Sequence, residues 1–337
     1  METKRIEPDL DEWNEQERRQ RRRTQRRKVG TFALVASLMA AFAAAYAVTR
    51  DPGTPTGIAG RVTSTPNPPS SQLKHAFVDL QTGEITPLPE SIAGGYSYRV
   101  SPDGTMFASE PGGDPPVAVS VANVDGTGIR QITPDGIDAY AASWSPDGSM
   151  LVYQGRDGAT FELGNLFVVD VTTEEVRQIT DLEPLSKGWW FMWPSFTPDG
   201  RTILFHLPRR DVGPSGQVWD LWSVPVAGGE PVLVRRNAGF GTYSPDGRTI
   251  AYLSPLSPED ATGARLWLVN VAGGDPRALI EARYGIWWPR WSPDGTRIAY
   301  ADAGEIYLVD VATGESAMVA EGAVAEWFDD HTLIVGP

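Results

Sequence analysis

The sequence predicts an all-β protein: a six-bladed β-propeller closed by strands from both termini, preceded by one transmembrane helix and a Pro/Gly-rich linker. Three observations carry this reading. A tight turn, Ser-Pro-Asp-Gly or Thr-Pro-Asp-Gly, recurs at Ser101, Ser145, Thr197, Ser244 and Ser292, with a degenerate sixth copy at Phe328-Asp329-Asp330-His331. The copies start 36 to 52 residues apart, the length of a four-stranded propeller blade. Each turn is flanked by short runs rich in β-branched and aromatic residues, such as Arg297-Ile298-Ala299-Tyr300, too short for helices and suited to strands.

The turn has a mechanism. Proline presets φ at the second position, aspartate bonds its own backbone, and glycine accepts positive φ. The residue before each turn is Val100, Trp144, Phe196, Tyr243, Trp291 or Trp327, apolar in every copy. That register predicts a side chain plugging the gap between neighbouring sheets, since one such unit cannot bury both of its faces alone.

The chain reads in order as four parts. Residues 1–28 are polar and end in a basic run, eight Lys or Arg in the eleven positions from Arg18 to Lys28. Residues 29–48, from Val29 to Val48, carry no formal charge and as a helix would reach about 30 Å, one hydrocarbon thickness. Basic residues on its N-terminal side predict a cytoplasmic tail, a retained single-pass anchor and an extracytoplasmic remainder. A face of small residues (Ala33, Ser37, Ala41, Ala45) could pack helix on helix, but the oligomeric state is left open. Residues 49–72, punctuated by Pro52, Pro55, Pro66, Pro68 and Pro69, read as an extended linker. Residues 73–337 read as the propeller, with blades at 96–133, 139–180, 191–235, 240–280 and 286–319. The sixth blade joins 324–335 to 76–86, so that Phe77 should lie alongside Ile334.

These modules resemble the repeats of the TolB-like propellers, six-bladed periplasmic proteins related to the propeller of prolyl oligopeptidases. The match is best at Val121-Ala122-Asn123-Val124-Asp125-Gly126-Thr127-Gly128 followed by Trp144-Ser145-Pro146-Asp147-Gly148, and it covers about residues 75–337. The resemblance implies a protein–protein role in the cell envelope. The chain departs from that family in lacking its additional N-terminal domain and in having an expected anchor.

Composition narrows the chemistry. Of the net charge of −14, residues 1–50 contribute +4, so the remainder carries −18, which disfavours nucleic acid as a partner. There is no cysteine, and the three histidines (His75, His206, His331) are far apart in sequence. No Gly-x-Ser-x-Gly elbow or phosphate loop is present, so no catalytic residue, cofactor or metal site is assigned and the protein is expected not to be an enzyme. The turn aspartates are read as turn formers.

Binding residues are instead sought on the face opposite the turns, which carries the longer loops. Trp189, Trp190 and Trp287 on two aromatic connections, with Arg209, Arg210 and Asp211 on a neighbouring loop, are the candidate partner or ligand residues. Trp193 and Trp288 are assigned to the interblade core. Arg99, Arg290 and Glu326 occupy equivalent polar positions two before the turn in three consecutive blades, which predicts an ionic network at the channel. The expected function is a non-catalytic protein-binding or scaffold module of the envelope; the alternative is a carbohydrate-binding or carbohydrate-cleaving propeller using the tryptophan-rich face.

Overall fold

A computed structural model describes residues 75–93, 95–111, 117–157, 164–182, 192–209, 218–255, 263–284 and 286–336. The expected tail, membrane span and linker lie outside the described residues. Among the described residues no helix is long and apolar enough to cross a membrane.

The strands form six antiparallel four-stranded sheets arranged as blades. The first blade is β3 (Gly95–Val100), β4 (Met106–Pro111), β5 (Ser120–Asn123) and β6 (Arg130–Gln131). The second is β7 (Ile137–Trp144), β8 (Met150–Asp157), β9 (Asn165–Asp170) and β10 (Val176–Gln178). The third is β11 (Ser195–Phe196), β12 (Thr202–Pro208), β13 (Trp219–Pro225) and β14 (Val232–Arg235). The fourth is β15 (Gly239–Tyr243), β16 (Thr249–Pro255), β17 (Gly263–Asn270) and β18 (Arg277–Tyr284). The fifth is β19 (Trp287–Trp291), β20 (Arg297–Asp302), β21 (Glu305–Asp310) and β22 (Ser316–Glu321). The sixth combines β23 (Val324–Trp327) and β24 (Thr332–Gly336) with β1 (Ala76–Asp79) and β2 (Ile85–Pro87), in the order β2-β1-β24-β23. Phe77 pairs with Ile334, as the repeat phase predicts. Pairing the two ends in one sheet removes the long free edges an open ring would leave.

The turns work as their composition requires. In the fifth blade Ser292 Oγ donates to Asp294 Oδ1 (2.6 Å) and accepts from the Arg297 amide (2.9 Å), while Asp294 Oδ1 accepts from the Thr296 amide (2.9 Å). The same Ser/Thr–Asp pairing recurs at Ser101, Ser145, Thr197 and Ser244. These bonds to the ionised form hold the carboxyls of Asp103, Asp147, Asp199 and Asp246 below the ordinary aspartate value. Gly295 closes its turn at φ 72°, and a Cβ there would lie 3.5 Å from Pro245 of the preceding blade's turn. The turns therefore pack side by side on one face of the ring.

The core is divided among the gaps between blades, each holding an apolar cluster. Leu204, Leu221, Ile250 and Tyr252 fill the gap between the third and fourth blades. Val78, Ala299, Leu308, Trp327 and Leu333 fill the gap between the fifth and sixth. Each fully buried leucine among them, such as Leu204 or Leu333, contributes roughly 1.5–3 kcal/mol. The tryptophans preceding the turns also carry a polar link. Trp144 Nε1 donates to the Arg99 carbonyl (2.9 Å), Trp291 Nε1 to Thr242 (3.2 Å) and Trp327 Nε1 to Arg290 (3.0 Å). In each case the acceptor lies on the innermost strand of the preceding blade, so the plug is oriented as well as buried.

Candidate functional site

The innermost strands β3, β7, β11, β15, β19 and β23 surround the central channel, and each begins at the loop face and ends at its turn. Four residues before the turn serine, or its equivalent, stand Ser97, Ala141, Trp193, Phe240, Trp288 and Val324. Ala141, Trp193, Phe240 and Trp288 adopt positive φ (55°, 42°, 53° and 50°). The ladder register shifts beside three of them, between Tyr140 and Ser143, Gly239 and Thr242, and Trp287 and Arg290. A bulky residue in this region costs roughly 1–2 kcal/mol, which glycine would avoid. The bulge re-aims the aromatic side chains.

Trp193 and Trp288 pack against the interblade core, as expected, but the assignment to core alone needs correction. Both also line a small open cavity at the channel, with Ser97, Arg99, Arg290 and Val324 on its other sides. The space enclosed there is about 10 Å³, room for about one water. The two indole rings are 5.8 Å apart between centroids. Behind them Phe240 contacts Trp193 (6.2 Å), Trp219 (5.5 Å), Trp287 (5.5 Å) and His206 (4.8 Å). His206 is fully buried, and its Nδ1 accepts from the Phe240 amide (3.2 Å). The third to fifth blades thus supply an aromatic wall.

The opposite wall is ionic. Arg99 Nη1 lies 3.1 Å and Arg290 Nε 3.3 Å from the same oxygen, Glu326 Oε2. The structure therefore brings together the three residues picked from their register. Arg99 Nη1 also donates to the Tyr98 carbonyl (2.7 Å). Burial, reinforced by repulsion from Arg99, lowers the Arg290 guanidinium to about 10 despite the attraction of Glu326 and Glu110. The buried Nε1–H of Trp288 has no hydrogen-bond partner among the described residues.

Glu110 on β4 was not legible as a site residue, because it belongs to a second strand and to no repeated motif. It is buried, accepts from the Ala142 amide (3.1 Å), and interacts with Arg99 and Ser97. Burial pushes its carboxyl up, opposed by the Arg99 charge. Beyond it, Asp138 and Arg156 form a buried ion pair (3.3 Å), and Arg156 Nη2 donates to the Tyr140 hydroxyl (3.2 Å). The ionic wall thus runs from the fifth blade through the sixth to the second.

The loop candidates fare differently. Trp189, Trp190, Arg210 and Asp211 lie outside the described residues. Trp287 is half-buried against Phe240, backing the aromatic wall. Arg209 Nε lies 3.6 Å from Asp220, which Arg236 also approaches (3.5 Å), so it is tied to the blade itself. Among the described residues no group of three or more His, Cys, Asp or Glu could hold a metal ion.

No family model matches the chain. It is 27% identical over 233 residues to an uncharacterized protein of Agrobacterium fabrum (strain C58), covering 64% of this chain and 74% of that one. It is 27% identical over 241 residues to the Tol-Pal system protein TolB of Jannaschia sp. (strain CCS1), covering 70% of this chain and 47% of the TolB. Dipeptidyl-peptidase 5 of Porphyromonas gingivalis is 24% identical over 257 residues, covering 58% of this chain and 36% of the peptidase. The chain therefore spans less than half of the length of these last two relatives. Among solved structures, a protein of Agrobacterium tumefaciens provisionally assigned as a TolB superposes with a TM-score of 0.60 at 18% identity, covering 78% of this chain and 97% of that one. The fold is that of a TolB-like six-bladed propeller.

Proposed function

We propose that this chain is a membrane-anchored, extracytoplasmic propeller acting as a non-catalytic protein-binding or scaffold module of the cell envelope. Its working surface is the channel mouth on the loop face. The observation that carries this reading is the strained pair Trp193 and Trp288 set against the Arg99–Glu326–Arg290 wall. Backbone strain at bulky residues concentrates at binding and catalytic sites, and tryptophan and arginine dominate interface hot spots. Similarity to a Tol-Pal system protein supports an envelope partner. The charge pattern of residues 1–50 supports the anchor and its orientation. The peptidase relative raises a catalytic alternative, for which the Ser97 hydroxyl bonded to Glu110 at the cavity is the pairing to test.

Affinity capture from solubilised envelopes, using the full-length chain, tests the proposal. Wild type should retain a protein that Trp288→Ala does not. Equal capture by both would remove the channel mouth from the account. The indole faces also suit a sugar ring, which favours a glycan as second reading. Binding on a glycan array that is lost in Trp190→Ala or Trp288→Ala, with no protein captured, would establish that reading instead.

A further inference from the structure

We propose that β22, the outermost strand of the fifth blade, is a second interaction surface, to which an extended segment of a partner protein adds as a further strand. The segment it fits has an aromatic or large apolar residue at its centre and a lysine or arginine three residues to either side.

The outermost strands of the blades differ in how they guard their free edges. Charge, proline, bulges and short length are the common protections against edge pairing. β6 has two residues and carries Arg130, and β10 has three and carries Arg177. β2 has three and ends in Pro87, while β14 has four, follows Pro231 and ends in Arg235. β18 has eight but carries Arg277, Glu281 and Arg283. β22 has six, Ser316 to Glu321, with no proline and no charge before the last. Its one irregularity is a register shift between Ile306 and Tyr307 on the facing strand.

Register places the free groups of this edge. Asp310 N donates to the Glu315 carbonyl (2.9 Å), which marks that pair as hydrogen-bonded. Three steps along the ladder, Tyr307 and Met318 form a pair of the other kind, so the Met318 N–H and C=O turn away from β21. Among the described residues no backbone bond joins β22 to any element but β21. Side chains lead to the same point. Tyr300 pairs with Tyr307 and Tyr307 with Met318, and the two tyrosine rings stack 5.4 Å apart. Tyr300 is fully buried, Tyr307 half-buried and Met318 49% exposed, so an apolar row leaves the core and ends uncovered at the edge. A flat ring beside Met318 extends that row through cross-strand and sulfur–aromatic contact.

Charge sets the ends of the segment. Glu315 and Glu321 stand three residues to either side of Met318, both exposed, and neither has an ion-pair partner among the described residues. Glu305 faces Glu321 across the ladder and adds a third carboxylate. A second copy of this chain is a poor occupant. Antiparallel pairing of two β22 strands about Met318 would set Glu315 of one copy against Glu321 of the other, and like charges directly opposite are destabilising. A strand with basic ends meets no such conflict.

The test is calorimetric titration of the full-length chain with acetyl-Lys-Thr-Thr-Phe-Thr-Thr-Lys-amide. This sequence reads the same in both directions, so it suits parallel or antiparallel addition. One control peptide replaces both lysines by glutamate, and another replaces the two threonines beside the phenylalanine by proline. The lysine peptide should bind at least about tenfold more tightly than either, through charge in the first case and strand pairing in the second. Met318→Pro removes an outward N–H while keeping the bonds to β21, and should weaken the lysine peptide by a similar factor. Glu315→Lys with Glu321→Lys should reverse the preference toward the glutamate peptide, whereas a merely damaged edge would bind neither. That reversal keeps the test open should Met318→Pro disturb the blade. Equal binding of the three peptides, or no reversal in the double variant, would overturn the surface. Concentration-dependent dimerisation that is lost in Met318→Pro would overturn the separate partner and give the edge to a second copy. The edge lies on the perimeter, away from the channel mouth, so failure here leaves the capture experiment untouched.

Discussion

Ring closure can be tested by a covalent lock between β1 and β24. The chain has no cysteine, so Phe77→Cys with Ile334→Cys introduces a single possible disulfide. Leu80 N donates to the His331 carbonyl (2.8 Å), which marks that pair as hydrogen-bonded. Three steps along the same register, Phe77 and Ile334 form a pair of the other kind, in which Cα atoms stand about 4.5 Å apart. That separation lies within the range a disulfide spans. The bond would close a loop from residue 77 to residue 334, for which the chain-entropy relation gives about 5.5 kcal/mol. At about 2–4 °C per kcal/mol for a domain of this size, the oxidised form should melt roughly 10–20 °C above the reduced form. Comparing the two redox forms of one variant cancels the packing lost at both positions. The assay is thermal unfolding of the full-length chain by near-UV circular dichroism, with and without reductant. Failure to form an intramolecular disulfide, or coincident melting of the two forms, would refute closure by the two ends.

Three further outcomes follow from the same contacts. Ser292→Ala removes the hydroxyl that bonds Asp294 and the Arg297 amide, and should cost about 1–2 kcal/mol in urea unfolding with unchanged m-value. Trp144→Phe leaves the Arg99 carbonyl without its donor, and should cost about 1–3 kcal/mol in the same assay. Glu110→Gln should raise stability at pH 7. The folded-state carboxyl is shifted up, so its contribution is fully present below the ordinary value of 4.5 and is lost as pH rises through the folded value. The advantage of the variant should therefore shrink as pH is lowered toward 4.5, and a gain that grows at acid pH would contradict the assignment.

The blades and their phase were legible because each turn needs proline, aspartate and glycine at fixed places, and the ring repeats the demand. Closure followed from the same phase, since the segment before Thr86 reads as the second half of a module and the segment after Val324 as the first. The Arg99–Glu326–Arg290 contact was legible from register alone, because strand alternation puts equivalent positions on one side. The aromatic wall was not. Residues four before the turn range from Ser97 and Ala141 to Trp193 and Trp288, so composition does not announce a shared bulge. Positive φ at a tryptophan is a property of the assembled ring, with no local signal to reveal it. Glu110 was missed for a related reason: its importance comes from Arg99 and Ala142 on neighbouring strands, which only pairing and closure bring near.

The most direct measurement of the working surface is site-specific photocross-linking in living cells, with the reactive residue placed at position 288 or at position 294 of the full-length chain. These positions lie at opposite ends of one strand–turn unit, Trp288 at the channel mouth and Asp294 in the turn. A protein cross-linked from 288 and absent from 294 is the expected result. Capture from 294 alone would place the contact on the turn face and contradict the proposed function.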